Sequence, residues 1–344
     1  MLALQAILPA TLALACGLTA AEARKVVAAV HRGQPIESLK GIRRIALDAV
    51  RAQGVVPTLE VRSIQPSAID PFVKLALFTC DRHIIEAVRI PLDRVGRFSA
   101  CVSSQVGCGL GCTFCATGRL GLSRNLETWE IVEQVRLLRG TLGPGQRIHG
   151  VVFQGMGEPL ANADRVFAAI RILCDPCALA IDARAITVCT SGLPGGIRRL
   201  AQELPKVRLG VSIASALSHT RRQLMPIETA HSLGDVVDAT EEHARATGLA
   251  PMWAITPLAG VNDGEDDAAA LGNLVQRFHA RTGIRPRVSV VPYNAIDATG
   301  KEPFARADTA AFVAVLAAHG VRAHVRYSGG ADVAAACGQL AGLR

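Results

Sequence analysis

Three cysteines in a glycine-rich stretch carry the clearest chemical signal in the sequence. Cys108, Cys112 and Cys115 follow the spacing Cys-x3-Cys-x2-Cys, and glycines at 107, 109 and 111 let the backbone wrap closely around a bound group. Three thiolates at this spacing can bind three irons of a 4Fe–4S cluster and leave the fourth iron open to another ligand. A structural zinc site normally has four ligands, and no fourth Cys or His lies nearby in the loop. The pattern favours the cluster; zinc and a chance grouping among ten cysteines are the alternatives.

Polar residues also stand where short β-branched runs end. Gly155–Leu160 offers exposed backbone carbonyls, and Glu158 within it offers a carboxylate, so both could hold an ammonium group. Ser191, Ser212 and Asn294 each end a further run and would point hydrogen-bonding groups into one shared mouth. The other interpretation is turn and capping chemistry, with Glu158 as a solvated acid near a helix N-terminus.

Two cysteines outside the triad are candidates for a separate role. Cys337 lies in a Gly/Ala-rich C-terminal stretch whose glycines indicate a thiol on a mobile arm, and Cys101 precedes the triad. A lone cysteine among alanines is more commonly a small buried hydrophobic residue. We expect that simpler role for Cys16, Cys80 and Cys189.

Residues 98–328 alternate short β-branched runs with amphipathic helical stretches. This repetition implies parallel strands joined by right-handed crossovers, and six such units predict a partial or full α/β barrel. Its active site should lie at the carboxyl ends of the strands. The predicted strands are Phe98–Val106, Ile148–Gln154, Ala185–Thr190, Val207–Ile213, Pro251–Thr256, Arg287–Val291 and Val321–Tyr327.

The rest of the chain is predicted as three smaller segments. Residues 1–72 form a small N-terminal helical accessory domain, and residues 73–97 form a hairpin and linker with strands at Val73–Phe78 and Ile84–Ile90. Residues 98–328 are the barrel. Residues 329–344 are a C-terminal arm that carries Cys337.

The first twenty residues are apolar, and Leu12–Cys16 resembles a lipoprotein cleavage site. No Lys or Arg precedes the apolar run, however, and Pro9 interrupts it, which is atypical of a secretory leader. We therefore expect a buried helical N-terminus in which Thr19 caps a helix over Ala20–His31. No stretch has the marks of a transmembrane span.

Composition narrows the function classes. A hydrophobic content of 50% excludes a disordered or fibrous chain, and 4% aromatic residues disfavours a protein that stacks many single-stranded bases. The net charge of +8 suits a polyanion such as RNA, although an ordinary basic protein fits equally well. Two basic loops, His219–Arg222 and Arg281–Arg287, could contact phosphate or simply be solvated. Irregular cysteine spacing favours reduced thiols in the cytosol over a disulfide scaffold.

Eight short motifs identify a family when they are taken together. They are Cys101–Cys115, Gly155–Leu160, Thr190–Gly192, Gly210–Ala214, Leu224–Ile227, Gly260–Asp263, Val291–Asn294 and Ala335–Gly342. The set resembles the RlmN/Cfr family of radical S-adenosylmethionine (SAM) RNA methyltransferases, from about residue 84 to the end of the chain. The resemblance implies a partial (β/α)6 radical-SAM barrel with a small N-terminal helical accessory domain.

The resemblance also implies the cofactors and their contacts. One 4Fe–4S cluster would be held by Cys108, Cys112 and Cys115, and SAM would bind beside it. The family carries a polar residue where this chain has Ala214, which removes one expected SAM contact. The implied SAM-binding residues are Gly157, Glu158, Ser191, Ser212, Ala214 and Asn294.

The implied reaction is methylation of an adenine ring carbon, C2 rather than C8. Such a carbon is electron-poor and is no nucleophile toward SAM, so a radical route is needed. By resemblance, Cys337 carries the methyl group, Cys101 later forms a disulfide with it, and Glu86 is the base that removes the ring proton. Alternation along its strand leaves open which face Glu86 occupies, and a surface glutamate is the other interpretation.

By the same resemblance, the partners would be ribosomal or transfer RNA, an electron donor such as flavodoxin or ferredoxin, and a thiol reductant. We expect a cytoplasmic monomer without membrane contact. Two alternatives stay open. One is a radical-SAM enzyme with a non-RNA substrate, which would not need the pair of Cys101 and Cys337; the other is a non-catalytic iron–sulfur RNA-binding protein.

Overall fold

The computed structural model describes residues 1–296 and 301–341. The last residues of the predicted C-terminal arm, including Gly342 of the final motif, lie outside the described residues. Short 3-10 helices connect several of the elements named below, at Leu4–Ala6, Ile36–Ser38, Thr117–Arg119, Pro159–Asn162, Ala183–Ala185, Pro226–Thr229 and Ala331–Val333.

The N-terminal segment is a helical unit with its own hydrophobic cluster. Its elements are β1 (Leu2–Ala3), α1 (Pro9–Cys16), α2 (Ala20–His31), α3 (Arg44–Gln53) and β2 (Gly54–Val55), and β1 pairs with β2 in parallel. Leu12, Val26 and Val50 contribute one buried side chain from each helix to the cluster. The apolar N-terminus is therefore packed helix, as expected. Within the described ranges no helix is both long and apolar enough to cross a membrane.

Thr19 caps α2 as predicted. Its Oγ1 accepts a hydrogen bond from the Glu22 backbone N–H (3.2 Å), and its own N–H donates to Glu22 Oε2 (2.8 Å), which is a reciprocal capping box. Arg43 donates to the same carboxylate at 2.8 Å and holds the pKa of Glu22 well below its usual range. One acidic side chain thus ties the start of α2 to the start of α3.

The helical segment ends earlier than predicted. Strand β3 (Glu60–Pro66) lies in the range predicted as helical, and it pairs antiparallel with β4 (Val73–Phe78). Val61 and Ile64 on β3 are exposed β-branched residues, which favour a strand at the edge of a sheet. Strand β4 pairs in turn with β5 (Ile84–Pro91), so the predicted hairpin is confirmed.

Ten of the described strands form one large sheet, ordered β14-β13-β12-β11-β10-β9-β6-β5-β4-β3. The seven from β6 to β14 run parallel and are covered by helices, which confirms the predicted partial α/β barrel; the hairpin strands extend the same sheet in antiparallel pairing. The remaining elements are β6 (Arg97–Cys101), β7 (Gln105–Cys108), β8 (Gly121–Asn125), α4 (Thr128–Gly140), β9 (Arg147–Phe153), α5 (Ala163–Cys174), β10 (Ile186–Thr190), α6 (Pro194–Glu203), β11 (Arg208–Ser212), α7 (Ser218–Leu224), α8 (Leu233–Thr247), β12 (Met252–Ile255), α9 (Glu265–Thr282), β13 (Arg287–Val290), α10 (Thr309–Ala318) and β14 (Ala323–Val325).

The first predicted barrel strand is wrong in one respect, because Phe98–Val106 is divided into β6 and β7. The backbone N–H of Ser103 donates to Gln134 Oε1 (2.7 Å) and that of Ser104 donates to the Met156 carbonyl (2.8 Å). These bonds take the chain out of the main sheet, and β7 pairs instead with β8 in a separate two-stranded sheet. The break directs the cysteine loop away from the strand that carries Cys101.

The Thr19 cap gives a first test of the fold. Thr19→Ala removes the acceptor for an otherwise unpaired N–H in the first turn of α2, so the free energy of unfolding should fall by about 0.5–2 kcal/mol. Urea unfolding followed by circular dichroism measures this. Thr229→Ala is the matched control, because Thr229 is exposed and its side chain makes no hydrogen bond among the described residues. Equal stability of the two variants would contradict the capping role.

Candidate active site

The cysteine loop is held between the barrel and the C-terminal arm. Cys108 ends β7, and Cys112 and Cys115 follow in the loop that leads to β8. The backbone N–H of Thr113 donates to the carbonyl of Leu224, the last residue of α7 (3.0 Å), and the Ala116 N–H donates to the carbonyl of Gly338 on the arm (2.8 Å). The loop therefore contacts the segment that carries Cys337.

Gly107 is required by the local geometry. Its φ is +75°, and a Cβ at this position would lie 2.0 Å from the Gly121 carbonyl oxygen on the paired strand. Any other residue would force β7 and β8 apart and displace Cys108 next to it. This glycine sets the position at which the cysteine loop begins.

A cavity of about 150 Å³ opens at the carboxyl ends of the parallel strands. We call it the mouth cavity. Seven of the residues singled out from the sequence line it, from five different parts of the chain: Cys112, Cys115, Ser191, Ser212, Ala214, Asn294 and Cys337. The predicted convergence of strand-end residues with the cysteine loop is thus present in the fold.

Glu158 lies behind the mouth cavity and is 3% exposed. Its two carboxylate oxygens accept hydrogen bonds from the backbone N–H of Leu160 (3.0 Å) and of Ser191 (2.8 Å). Burial nevertheless raises the pKa of Glu158 to about 7, against the opposing effect of these two hydrogen bonds. Gly157 before it has a φ of +100°, and a Cβ there would meet Gln105 at 2.5 Å. Glu158 is therefore a buried acid and not a solvated turn residue.

Arg221 has a role that the sequence did not indicate. It belongs to the basic loop interpreted as a phosphate contact or solvated surface, yet it is completely buried and paired with Glu228 at 2.7 Å. Its guanidinium donates to the carbonyls of Ser191 (2.8 Å) and Ser212 (3.0 Å). Arg221 thereby ties together the two strand ends that line the mouth cavity.

Asn262 performs a similar task at the next strand end. Its side-chain amide donates to the carbonyls of Ala214 (2.6 Å) and Thr256 (3.0 Å), both of which line the mouth cavity. Ala214 has a φ of +59°, a left-handed conformation that alanine rarely adopts. The Asn262 contact helps to hold this turn. In the sequence, the feature that could have pointed to Asn262 was its position in the Gly260–Asp263 motif.

A second cavity of about 60 Å³ lies on the other side of Cys337. We call it the thiol cavity, because both Cys101 and Cys337 line it. Gln154 and Cys337 belong to the walls of both cavities. All ten cysteines are free in the structure, so no disulfide joins Cys101 to Cys337 here.

The arm that carries Cys337 is fastened on both sides of this residue. On the near side, the Asp332 carboxylate accepts from Ser67 Oγ and from the Ala68 N–H, each at 2.8 Å. On the far side, Gln339 Nε2 donates to the Ala295 carbonyl at 2.8 Å. Cys337 itself is exposed, whereas its two preceding neighbours are buried. The thiol therefore projects from a segment that hydrogen bonds attach to the rest of the protein on both sides. The mobility of the arm stays a prediction.

Asn294 fixes the backbone of the arm directly. Its Nδ2 donates to the carbonyl of Cys337 (3.1 Å), and its Oδ1 accepts from Ser328 Oγ (2.8 Å). The predicted contact between Asn294 and SAM stays a prediction, because in this structure its amide bonds to the arm.

Glu86 is buried beneath the arm. Its carboxylate pairs with Lys74 Nζ at 3.0 Å, with side-chain exposures of 2% and 3%. Glu86 Oε2 also accepts from the Ala341 N–H (2.9 Å), and Lys74 Nζ donates to the Ala334 carbonyl (3.4 Å). One ion pair thus contacts the arm before and after Cys337. Glu86 lies on an inner face of the sheet and is not a surface residue.

The three cysteines that were expected to be buried differ in their exposure. Cys16 is buried as expected, but Cys80 is exposed because it lies in the turn between β4 and β5. Cys189 is half-buried on β10.

Comparison with known proteins shows the family to which this chain belongs. Residues 102–272 match the family model described as the Radical SAM superfamily. A protein of Sorangium cellulosum named "Probable RNA methyltransferase" is 57% identical, with 97% of this chain and 91% of the relative covered. The chain belongs to the RlmN-type family of radical-SAM RNA methyltransferases.

Two further members extend the comparison. The "Dual-specificity RNA methyltransferase RlmN" of Syntrophobacter fumaroxidans is 41% identical, with 76% of this chain and 73% of the relative covered. The crystal structure of a radical SAM methyltransferase from Sphaerobacter thermophilus is 30% identical, covers the whole of both chains and superposes with a TM-score of 0.87. The radical-SAM fold is therefore confirmed.

Radical-SAM proteins in general use a 4Fe–4S cluster and SAM, and the residues of this family member fit that pair. Burial raises the pKa of Cys108 to about 11 and that of Cys112 to about 12, and it also raises the pKa of Cys115. The Cys115 thiol adds to the pKa shift of Cys108, both Cys108 and Cys115 add to that of Cys112, and Cys337 on the arm adds to that of Cys115. No three Cys, His, Asp or Glu side chains in residues 1–296 and 301–341 are grouped to hold a single metal ion. A cluster takes each thiolate on a different iron, so it does not require such a grouping.

Glu158 should make SAM binding depend on pH. A pKa of about 7 means that the carboxylate loses its charge as the pH falls below 7. If Glu158 holds the SAM ammonium group, as the resemblance implies, its attraction for that group is lost at the same time. We expect SAM affinity to weaken by up to about tenfold per pH unit below 7. Isothermal titration calorimetry on the cluster-loaded protein measures it. Glu158→Gln should abolish the pH dependence, and Glu265→Gln on the surface should preserve it. A flat wild-type profile would refute the assignment.

Removing one partner of the Lys74–Glu86 pair should strongly destabilise the folded protein. Lys74→Met leaves the buried Glu86 carboxylate without this cation, so the free energy of unfolding should fall by about 3–5 kcal/mol. Replacing both charges in Lys74→Met/Glu86→Leu should recover much of that loss, since no buried charge remains. Urea unfolding compares the variants with Lys206→Met on the surface. If Lys74→Met is as stable as Lys206→Met, the two charges of the pair are not energetically coupled.

Proposed function

We propose that this family member methylates C2 of an adenine in ribosomal or transfer RNA through a methyl group carried on Cys337. The position of Cys337 carries the proposal. Its exposed thiol lies between the mouth cavity, which it shares with Cys112, Cys115 and the strand-end residues, and the thiol cavity, which it shares with Cys101. A one-carbon group on this sulfur would therefore lie beside the proposed SAM site and beside a second thiol.

In this proposal Cys108, Cys112 and Cys115 would hold the cluster, which would supply one-electron reduction chemistry to bound SAM. Gly157, Glu158, Ser191, Ser212 and the backbone at Ala214 position SAM. The buried Glu158 is suited to the ammonium group, because a desolvated carboxylate attracts a cation strongly. Arg221 and Asn262 keep the strand ends at fixed separations while SAM binds.

Cys101 is proposed as the thiol that releases the product. Attack by its thiolate on the Cys337 sulfur forms an S–S bond and breaks the bond between that sulfur and the carbon attached to the adenine ring. The released carbon keeps the electron pair and takes up a proton from water, which completes the methyl group. A thiol reductant must then supply two electrons and two protons to restore both thiols from the disulfide. The shared thiol cavity supports this pairing, because both residues line the same small space.

Glu86 is proposed as the base that accepts the ring proton. Its carboxylate is covered by the arm, since Ala341 donates to one oxygen and Lys74 holds the other. Access to a nucleotide therefore requires the end of the arm to move away from Glu86.

The choice of RNA rests on the relatives and on charge. The relatives named RNA methyltransferase match nearly the whole chain, and the net charge of +8 favours a polyanion. C2 is preferred to C8 because several relatives carry the name RlmN. We further propose a monomer that receives electrons from a flavodoxin or ferredoxin.

The deciding experiment detects the methyl carrier. Cluster-loaded protein incubated anaerobically with SAM should carry one additional methyl group on the Cys337 peptide, seen by tandem mass spectrometry. Cys337→Ser should lose the modification and at least about 10³-fold of the activity, because an alcohol is a far weaker nucleophile and methyl carrier than a thiol. Cys80→Ser, at the exposed turn, should keep both.

The Cys101→Ala variant tests the proposed role of Cys101 in releasing the product. Without this thiol, the RNA should remain attached to Cys337 as a stable adduct visible on a denaturing gel. Nucleoside analysis of RNA from cells with and without the gene should show 2-methyladenosine as the difference. SAM cleavage without any Cys337 methylation would indicate a radical-SAM enzyme for another substrate, and the absence of SAM cleavage would indicate a binding protein.

A further inference from the structure

Arg326 lies directly after β14, at the wall of the thiol cavity. The side chain is half-buried and lines this cavity together with Cys101 and Cys337. The Arg326 backbone N–H donates to the Val290 carbonyl at 2.8 Å, which continues the pairing of β14 with β13 and fixes the residue to the sheet. A cation is therefore built into the compartment that holds both thiols.

Gln154 links Arg326 to Cys101. Arg326 Nη1 donates to Gln154 Oε1 at 3.2 Å, and the backbone N–H of Gln154 donates to the Cys101 sulfur. The guanidinium and the sulfur thus contact opposite ends of one residue that itself lines the thiol cavity. The two groups are held close together by the fold.

Arg326 forms no ion pair with a carboxylate among residues 1–296 and 301–341, whereas some other half-buried arginines, such as Arg124 and Arg136, do. On its other side Arg326 lines a further cavity together with Asp182, Arg184, Arg208 and His149. Asp182 is the acidic residue of this wall; its carboxylate accepts a hydrogen bond from the Arg184 backbone N–H, and among the described residues it forms no ion pair with Arg326. A partly desolvated guanidinium is stabilised by an anion. In the thiol cavity, the groups able to become anionic are Cys101, Cys337 and the hydroxyl of Tyr327, and that hydroxyl donates a hydrogen bond to Asp70.

A nearby cation would stabilise the thiolate form of Cys101. Burial raises its pKa well above the ordinary value, and the nearby thiols of Cys337 and Cys189 raise it further. The Gln154 N–H and the Arg326 guanidinium are the groups that oppose these effects. A thiol that stays protonated is a poor nucleophile.

We infer that Arg326 is a positioning residue whose charge stabilises the thiolate of Cys101 and so makes this thiol reactive toward Cys337. The step is an ionisation: the S–H bond breaks, the electron pair stays on sulfur and the proton passes to water. The inference rests on the proposed function for its purpose, the release of product, but the ionisation can be measured without RNA or SAM.

The experiment is a pH profile of alkylation. Cluster-loaded protein is treated with iodoacetamide between about pH 7 and 10, and modification of the Cys101 peptide is followed by mass spectrometry, with exposed Cys80 as internal reference. In Arg326→Gln the profile of Cys101 should move to higher pH, so that alkylation is about three- to tenfold slower below the midpoint. Arg326→Lys should restore most of the rate, and Arg322→Gln, four residues away and exposed, should match wild type.

Two results would overturn the inference. Unchanged profiles would show that the guanidinium does not act on Cys101, and faster alkylation at every pH with the same midpoint would show that Arg326 only fills space. If Arg326→Gln does not fold, Arg326→Met keeps the apolar stem and takes its place. The proposed function fails separately, when Cys337 acquires no methyl group, whatever the profile of Cys101.

Discussion

The position of Cys337 depends on one buried ion pair and the hydrogen bonds around it. Lys74 and Glu86 form this pair at 3.0 Å beneath the C-terminal arm, and together they contact the arm on both sides of Cys337. A buried charge pair adds little net stability, but it specifies one arrangement, because removing either partner leaves a desolvated charge. The arm is thereby held in place while the thiol itself projects into the site.

The same constraint explains why two cavities meet at a single sulfur. The arm passes between the open ends of the parallel strands and the hairpin strands, so Cys337 has the cysteine loop on one side and Cys101 on the other. The main-chain hydrogen bond from Asn294 fixes the backbone at this point. The proposed reaction needs both neighbours in turn, and this placement lets one residue serve both with little movement.

Much of this arrangement follows from the sequence, and the failures have identifiable causes. Alternating apolar residues gave β4 and β5 correctly, and strand–helix repetition gave the barrel, because these patterns reflect burial on one face. The break between β6 and β7 was missed, because it results from Ser103 and Ser104 bonding to distant partners. Arg221 was misread as a surface residue, because its buried partner Glu228 becomes adjacent only when α7 forms.

Because the large sheet is continuous, insertions in its strands should be more disruptive than insertions in its turns. Residue Val88 of β5 pairs with Cys101 of β6, so the hairpin register is shared with the strand that carries one of the thiols. A one-residue insertion within β5 would turn Glu86 to the opposite face and separate it from Lys74. Extra residues in the turn around Cys80, which is exposed, would leave the pairing intact. Length variation in this region should therefore accumulate at the turn and be absent from the strands on either side.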